Sequence, residues 1–297
     1  MSKNLTQKLG YARRRKYELS RLTFISRLLV APSMGLVSAW ISILKMIGGV
    51  SPVRAKTFWG KNMKVVLPEV VSSEILRFGY IEEAVAASII KYVGVGNTAI
   101  DVGGHFGFFS LLLSERVGES GEVHVFEPIP STFAILSENC TGRTFINVNM
   151  AVWNKEEKIT LRDFGLSHSA FNSIRDPRIE NHQKTVNVKS VMVEAITLDS
   201  YVAGRRIKPD FIKIDAESAE FEVVAGMDRI LREIKPVVCI ELGDLGVEGA
   251  TKSRIIVDKF ISYDYRPYEW HDGYFREHLP AIDYPYSNLL FLPSQVH

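Results

Sequence analysis

Thr98-Ala-Ile-Asp-Val-Gly-Gly-His-Phe-Gly107 is the stretch on which the fold turns. A short apolar run carrying one acid, Asp101, meets a turn with glycine at 103, 104 and 107. Phe108-Phe-Ser-Leu-Leu-Leu113 then resumes as an apolar helix. A strand that enters a glycine turn and leaves as a helix is the building unit of a parallel α/β sheet. The same alternation continues outward. Upstream, Ile81–Tyr92 reads as a helix stopped by Gly94 and Gly96. Downstream come strand Glu122–Phe126, helix Pro130–Asn139 and strand Phe145–Val152. After extended segments and polar turns over 157–192 come strand Phe211–Ile214 and a helix to about Glu233. Strand Pro236–Leu242 and helix Ser253–Ser262 follow. The expected architecture is a doubly wound, mostly parallel α/β sheet with helices on both faces.

The turn also constrains the ligand. A dinucleotide fingerprint starting at Gly103 needs glycine at 105 and 108, where His105 and Phe108 stand. What remains is D-x-G-x-x-x-G, with the acid ahead of the first glycine. A pyrophosphate favours bare amides at a helix N-terminus. S-adenosylmethionine brings an ammonium and a sulfonium instead, which suit a carboxylate at the strand end and a closely approaching backbone. Glu127, twenty residues beyond Gly107, closes the apolar strand Val123-His-Val-Phe126. An acid there hydrogen-bonds the ribose of an adenosine ligand; the alternative is a cap for the helix after Pro128.

A third signal is Asp210-Phe-Ile-Lys-Ile-Asp-Ala-Glu217. Strands buried on both faces read as unbroken apolar runs, yet Lys213 and Asp215 interrupt this one on the same face. Such charges are costly unless paired or solvated in a cleft. Ligands of open parallel sheets bind beyond the carboxyl ends of the strands, where Asp215 and Glu217 fall. These two are candidate general bases, with Lys213 tuning them; the alternative for Lys213 is a structural pairing with Asp101 or Asp215. Asp215 and Glu217 are also the ligands for a divalent metal if one binds. No histidine or further acid is evident beside them, so no metal site is expected.

With these motifs in place the chain resembles the FkbM family of methyltransferases over roughly residues 72–292. The resemblance is carried by Gly79-Tyr-Ile-Glu82, Ile100-Asp-Val-Gly-Gly-His-Phe-Gly107, Val125-Phe-Glu-Pro128, Thr197-Leu-Asp-Ser200, Phe211-Ile-Lys-Ile-Asp-Ala-Glu217 with Glu220, and Asn288-Leu-Leu-Phe291. It implies a class I methyltransferase sheet of seven strands, the last antiparallel, and S-adenosylmethionine-dependent O-methylation of a hydroxyl. The implied cofactor site is Glu82, Asp101, Gly103, Gly104, His105, Gly107, Phe108, Glu127, Pro128 and Ala151. The implied acceptor is a sugar, glycan or glycolipid. His105 replaces the family's usual asparagine, and Ser218 its usual glycine at a turn where positive φ favours glycine.

Composition bounds the remaining readings. At 46% hydrophobic and 24% charged, the 297-residue chain falls among globular proteins, which excludes disordered, collagenous and coiled-coil classes. Cys140 and Cys239 form no metal or disulfide pattern, as expected of cytoplasmic proteins. Residues 1–27 hold eight Lys/Arg against one acid, Glu18, so the rest of this +2 chain is net negative. The uncharged stretch Leu28–Leu44 follows, and Leu36, Val37, Trp40, Ile41, Leu44 and Ile47 recur at helical spacing. Three readings are open: an accessory helix packed on the domain, a basic amphipathic helix lying on the inner face of an anionic membrane, or a membrane span. The expected division is an N-terminal helical extension over 1–71 and a methyltransferase domain over 72–297. A nucleic-acid partner is not expected, because the basic arm lacks interleaved aromatics and the body is negative. A nucleic-acid or small-metabolite methyltransferase and a non-catalytic cofactor-binding membrane-associated protein are the alternatives. The aromatic segment Tyr263–Tyr286 is read as a hairpin closing the sheet, the alternative being rings that stack on sugar faces, and His168 and Asn172 are candidate acceptor contacts.

Overall fold

The computed structural model describes residues 2–23, 26, 30–174, 188–243, 249 and 251–294. The strands, in chain order, are β1 Ser51–Lys56, β2 Asn62–Leu67, β3 Thr98–Val102, β4 Glu122–Phe126, β5 Phe145–Val148, β6 Ala151–Val152, β7 Glu157–Asp163, β8 Lys189–Ile196, β9 Phe211–Ile214, β10 Val237–Leu242, β11 Tyr265–His271, β12 Tyr274–Glu277 and β13 Ser287–Pro293. The main sheet runs β12-β11-β13-β10-β9-β3-β4-β5. Its five strands from β10 to β5 are parallel, and β13 lies antiparallel between β10 and β11. Seven strands form the expected doubly wound sheet. The eighth, β12, is the return of a hairpin that turns at Asp272 and Gly273, both at positive φ. Trp270 and Phe275 pack edge to face across it, their centroids 4.8 Å apart.

Alternation along each strand builds a core on either side. Ala99, Val123, Val125, Phe211 and Cys239 face helices Glu83–Tyr92 and Phe108–Val117. Ile100, Val102, Ile212, Ile214 and Ile240 face helices Leu198–Arg205, Glu220–Ala225 and Ser253–Ser262. Leu112 is fully buried, so Leu112→Ala costs about 2–5 kcal/mol. Both cysteines are buried and unpaired.

Two expected elements are divided. The run Phe145–Val152 breaks at Asn149, whose side-chain amide donates to the carbonyls of Glu127 and Pro128 at 2.9 and 3.0 Å. β5 stays in the main sheet, while β6 joins β7 and β8 in a three-stranded sheet with its own small core. This accounts for the extended character read over 157–192, of which residues 175–187 lie outside the described residues. The helix expected to reach Glu233 ends at Ala225, and a second helical turn covers Ile230–Ile234. Asp199 caps that turn, accepting from the amides of Arg229 and Ile230, each at 2.9 Å.

The first seventy residues share the domain core. Helix Ser2–Ser20 buries Leu5, Leu9 and Ala12, and pairs Arg13 with Glu83 and Lys16 with Glu74. The β1–β2 hairpin carries Trp59 onto the Phe108 ring, 5.2 Å between centroids. Glu69 caps helix Val70–Phe78 by accepting from the amides of Val71 and Ser72. Helix Pro32–Ile47 packs Ile41 and Leu44 against Leu67 and Leu76. The single apolar face read for this helix is divided: Ile41 and Leu44 point inward, whereas Leu36, Trp40 and Ile47 are exposed. Among the described residues no helix is long and apolar enough to cross a membrane.

Candidate active site

Strand order reverses between β3 and β9: β4 and β5 extend to one side of β3, β9 and β10 to the other. Ligands of doubly wound sheets bind at such a reversal, beyond the carboxyl ends of the strands. A cavity of about 400 Å³ opens there, within the range of about 300–1,000 Å³ usual for small-molecule sites. Sheet order arranges its wall. Glu241 ends β10, Lys213 and Asp215 end β9, Gly103 follows β3, Glu127 follows β4, and Met150 and Ala151 follow β5. With strands about 4.8 Å apart, the acids of β9 and β10 lie on the order of 10 Å from Glu127.

The register explains the charged pair at the centre. Asp101 of β3 stands directly opposite Lys213 of β9, on the same face of the sheet. The Lys213 ammonium lies 3.3 Å from Asp101 Oδ1 and 3.2 Å from Asp215 Oδ2, and donates to the Gly103 carbonyl at 2.8 Å. Burial works against this ammonium, but Asp215, Asp101 and Glu82 outweigh it and hold Lys213 charged. Burial likewise pushes the Asp215 carboxyl up, and Lys213 and a hydrogen bond with Glu241 bring it below the usual range. Glu241 moves the other way, well above the ordinary value, through burial and the neighbouring Asp215. The two therefore form an acid–carboxylate pair sharing a proton. Glu82 rises to about 7 through burial and Asp215, and its Oε2 accepts from the Asn288 amide at 3.3 Å.

Glu127 is buried at the other end, each oxygen accepting one backbone amide: His105 at 3.1 Å and Ile129 at 3.0 Å. Burial raises it to about 8 despite those bonds. His105 stacks on Phe106, and its Nε2 meets Ser169 Oγ at 2.8 Å. Burial depresses its pKa, so the ring is neutral. Four non-glycine residues of the wall take positive φ: Glu82 (39°), His105 (49°), Glu217 (47°) and Ser218 (75°). Left-handed backbone in such residues is costly and gathers where geometry serves a ligand. Glu220 braces the last two, its Oε1 accepting from the amides of Ala216 and Ser218 at 3.0 and 3.2 Å.

Of the residues expected at the cofactor, Glu82, Gly103, Gly104, His105, Phe108, Glu127, Pro128 and Ala151 line the cavity, as do Lys213, Asp215 and Glu217. Asp101 and Gly107 stand behind the wall. Asp101 is fully buried, accepting from Ser110 Oγ at 2.5 Å and facing Lys213. The glycine turn also has a different reason from the one expected. A Cβ on Gly103 would fall inside the Asp215 carbonyl, and one on Gly107 would meet the Cys140 sulfur. These glycines let protein approach protein. Asn172 lines the cavity, whereas His168 points to Ser167.

Glu241 escaped the sequence reading, and Tyr286, read there only within the aromatic segment Tyr263–Tyr286, lines the cavity. Glu241 carried the same signal as Lys213, a charge in the apolar run Val237-Val-Cys-Ile-Glu-Leu242. Its presence overturns the view that no further acid stands beside Asp215 and Glu217. Carboxylate oxygens of Asp215, Glu217 and Glu241 lie within 4.8 Å of one another and are the residues that would hold a metal.

A doubly wound sheet with an antiparallel strand inserted next to its edge, and acids at the strand ends flanking a glycine turn, is the frame of a class I methyltransferase. The chain belongs to the FkbM methyltransferase family, matching the Methyltransferase FkbM domain over residues 101–267. It is similar to the hexuronic acid methyltransferase AglP of Haloferax volcanii, 30% identical over 166 residues, which cover 54% of this chain and 62% of AglP. The chain thus spans less than two thirds of that relative. Among solved structures it is similar to the methyltransferase FkbM of Methylobacillus flagellatus (TM-score 0.42, 15% identity, 66% of this chain and 43% of that one). A second is the SAM-dependent O-methyltransferase of Thermotoga maritima (TM-score 0.35, 12% identity, 82% and 79%).

Proposed function

We propose that this methyltransferase uses S-adenosylmethionine to methylate a hydroxyl of a sugar or a sugar-bearing lipid. The observation that carries the reading is the polarity of the cavity along the sheet edge. Apolar residues after β5, including Ala151, Val152 and Trp153, form one end. Glu127 stands between, and Glu82, Asp215, Glu217 and Glu241 gather at the other end. A ligand with a flat base, a ribose diol and a cationic tail fits that order. The name of the haloarchaeal relative, a hexuronic acid methyltransferase, supports a sugar acceptor.

In this reading the catalytic unit spans residues 72–297, with residues 1–71 covering it. Each Glu127 oxygen retains a lone pair for a ribose hydroxyl. Glu82 and Asp215 offset positive charge at the acidic end, and Asp101 acts from behind by holding Lys213. When bound, S-adenosylmethionine supplies an activated methyl group. The chain's task is to hold an acceptor hydroxyl in line with it and to receive the hydroxyl proton. Asp215, which Lys213 holds ionised, and Glu217 are the acceptors for that proton. Glu241, whose carboxyl already carries a proton, hydrogen-bonds Asp215 from behind.

The test is a thermal shift followed by transfer of labelled methyl into neutral and acidic glycosides and glycolipids. S-adenosylmethionine at a hundredfold excess over its dissociation constant stabilises by about 2.7 kcal/mol, and Glu127→Ala removes most of that shift. A shift with NAD and none with S-adenosylmethionine overturns the reading.

A further inference from the structure

Helix Pro32–Ile47 is apolar on two sides. Its inner side is spent on the domain through Met34, Ile41 and Leu44. Its outer side presents Leu36, Trp40, Ile43 and Ile47, exposed by 67, 55, 54 and 65%, with Met46 beside them at 80%. Positions 36, 40, 43 and 47 follow helical periodicity, so they form one continuous ridge. Single exposed apolar side chains are ordinary; a contiguous ridge with a tryptophan at its middle is not.

The charge around this ridge is predominantly positive, with Glu18 the one exposed acid of helix Ser2–Ser20. Lys3, Lys8, Arg14 and Arg15 of helix Ser2–Ser20 and Lys45 of the apolar helix are exposed. Arg13 and Lys16 are instead taken by Glu83 and Glu74. Buried Leu5, Leu9 and Ala12 fix the basic helix to the domain, so its cations are displayed by a rigid element. The two helices share a support. Lys16 reaches Glu74, and Ser38 accepts from Arg77, both on helix Val70–Phe78. Tyr11, Arg14, Arg15, the single acid Glu18 and Leu19 border a shallow depression with Val30 and Ala31, where the apolar helix begins.

We propose that this layer docks on an anionic lipid surface, with the ridge Leu36–Trp40–Ile43–Ile47 in the headgroup boundary and the flanking cations on lipid phosphates. An amphipathic helix lying in the interface plane needs an apolar face and adjoining cations, and does not need to span. Charge decides between lipid and a second copy of the chain. A twofold contact through this face sets one cationic helix against another, whereas an anionic leaflet attracts each cation by roughly fivefold in partitioning. The placement also matters geometrically. Helix Val70–Phe78 lines the cavity with Val71 and Ile75 and receives the apolar helix through Leu76. The docked surface therefore lies one helix away from the cavity. The proposal goes beyond the methylation reading and does not depend on it.

The test is flotation of the full chain with phosphatidylcholine vesicles and with vesicles also containing phosphatidylglycerol, at low and high salt. We expect association with the anionic vesicles at low salt, weakened by an order of magnitude or more on neutral vesicles or at high salt. The surface variant Leu36→Ser/Trp40→Ser/Ile43→Ser/Ile47→Ser loses association, as does the charge variant Arg14→Glu/Arg15→Glu, both with an unchanged melting temperature. No flotation with either vesicle, equal flotation with both, or flotation indifferent to both variants overturns the proposal. So does a concentration-dependent dimer that the ridge variant abolishes. If the ridge variant fails to fold, the charge variant and the salt series on the unmodified chain still decide.

Discussion

At the β4 end of the cavity a single buried carboxylate, Glu127, is held by two backbone amides. At the β9–β10 end Asp101, Asp215 and Glu82 all bear on one ammonium, Lys213, and Glu241 leans on Asp215. The first arrangement is local, made by residues 105, 127 and 129 around one strand end. The second is assembled by sheet order from residues as distant as Glu82 and Glu241. A local site tolerates losing its charge by protonation, because both oxygens stay in place for the two amides. A charge cluster does not, because each member is the counter-ion of another.

Lys213→Ala is the severest way to break that contrast. It leaves Asp101 and Asp215 buried without their cation and costs about 3–5 kcal/mol, a fall in Tm on the order of 10 °C by calorimetry. Glu127→Gln, at the local end, sets an NH2 donor where one oxygen accepted a backbone amide, so it costs about 1–3 kcal/mol, less than Lys213→Ala, and lowers ligand affinity as well. Equal losses in the two variants dissolve the distinction.

Asp215→Asn comes next. Turnover falls by about two orders of magnitude, equivalent to about 2.7 kcal/mol, with cofactor affinity nearly intact. If Asp215→Asn and Glu217→Gln both keep full turnover, neither takes the proton. Sensitivity to a chelator, rescued by Mg²⁺, makes Asp215, Glu217 and Glu241 metal ligands instead.

The raised carboxyls give a smaller effect with a definite sign. Glu82 and Glu220 stand at about 7 and Glu127 at about 8, all above their value in the unfolded chain. Folding therefore favours their protonated forms. That stabilisation is complete below about pH 4.5 and is lost as pH rises through about 7 to 8. Melts of the ligand-free protein from about pH 5 to about pH 9 should lose stability, each of these carboxyls contributing at most about 1.4 kcal/mol for every pH unit between its unfolded and folded values. Glu127→Gln flattens the upper part of the curve; a stability that rises over this range contradicts the assignment.

The smallest effect is at Ser218, whose φ of 75° is a glycine conformation. Ser218→Gly relieves backbone strain and gains up to about 1 kcal/mol, less the extra freedom that glycine has when unfolded. Urea denaturation reads the difference, and a loss of stability shows that the serine side chain matters more than its backbone.

How far the molecule could be read in advance follows the same divide. Strand ends were legible because each signal lies within a few residues: Asp101 before Gly103, Glu127 after Phe126, Lys213 and Asp215 in one strand. Helix Ser253–Ser262 carries its own period and matches the expected bounds. The place of Tyr286 beside the acids needed the order of strands, because only the insertion of β13 between β10 and β11 carries the segment after Tyr284 back toward β10. Asp101 shows the converse. Its motif was correct, yet register turned its side chain toward Lys213, behind the cavity wall. The two-sided character of helix Pro32–Ile47 was beyond periodicity alone, because an apolar period does not say which residues meet the domain.

The missing side chain at Gly103 governs how a mutational scan of this protein will look. Because the carbonyl of Asp215 fills the place of its Cβ, even alanine there wedges β3 away from β9 along the seam that supports the cavity. Gly103 will therefore score as intolerant in an assay of soluble yield as much as in an assay of methylation. Glu127, by contrast, will stand out in methylation more than in yield. Comparing the two readouts position by position separates residues that hold the seam closed from those that meet the ligand.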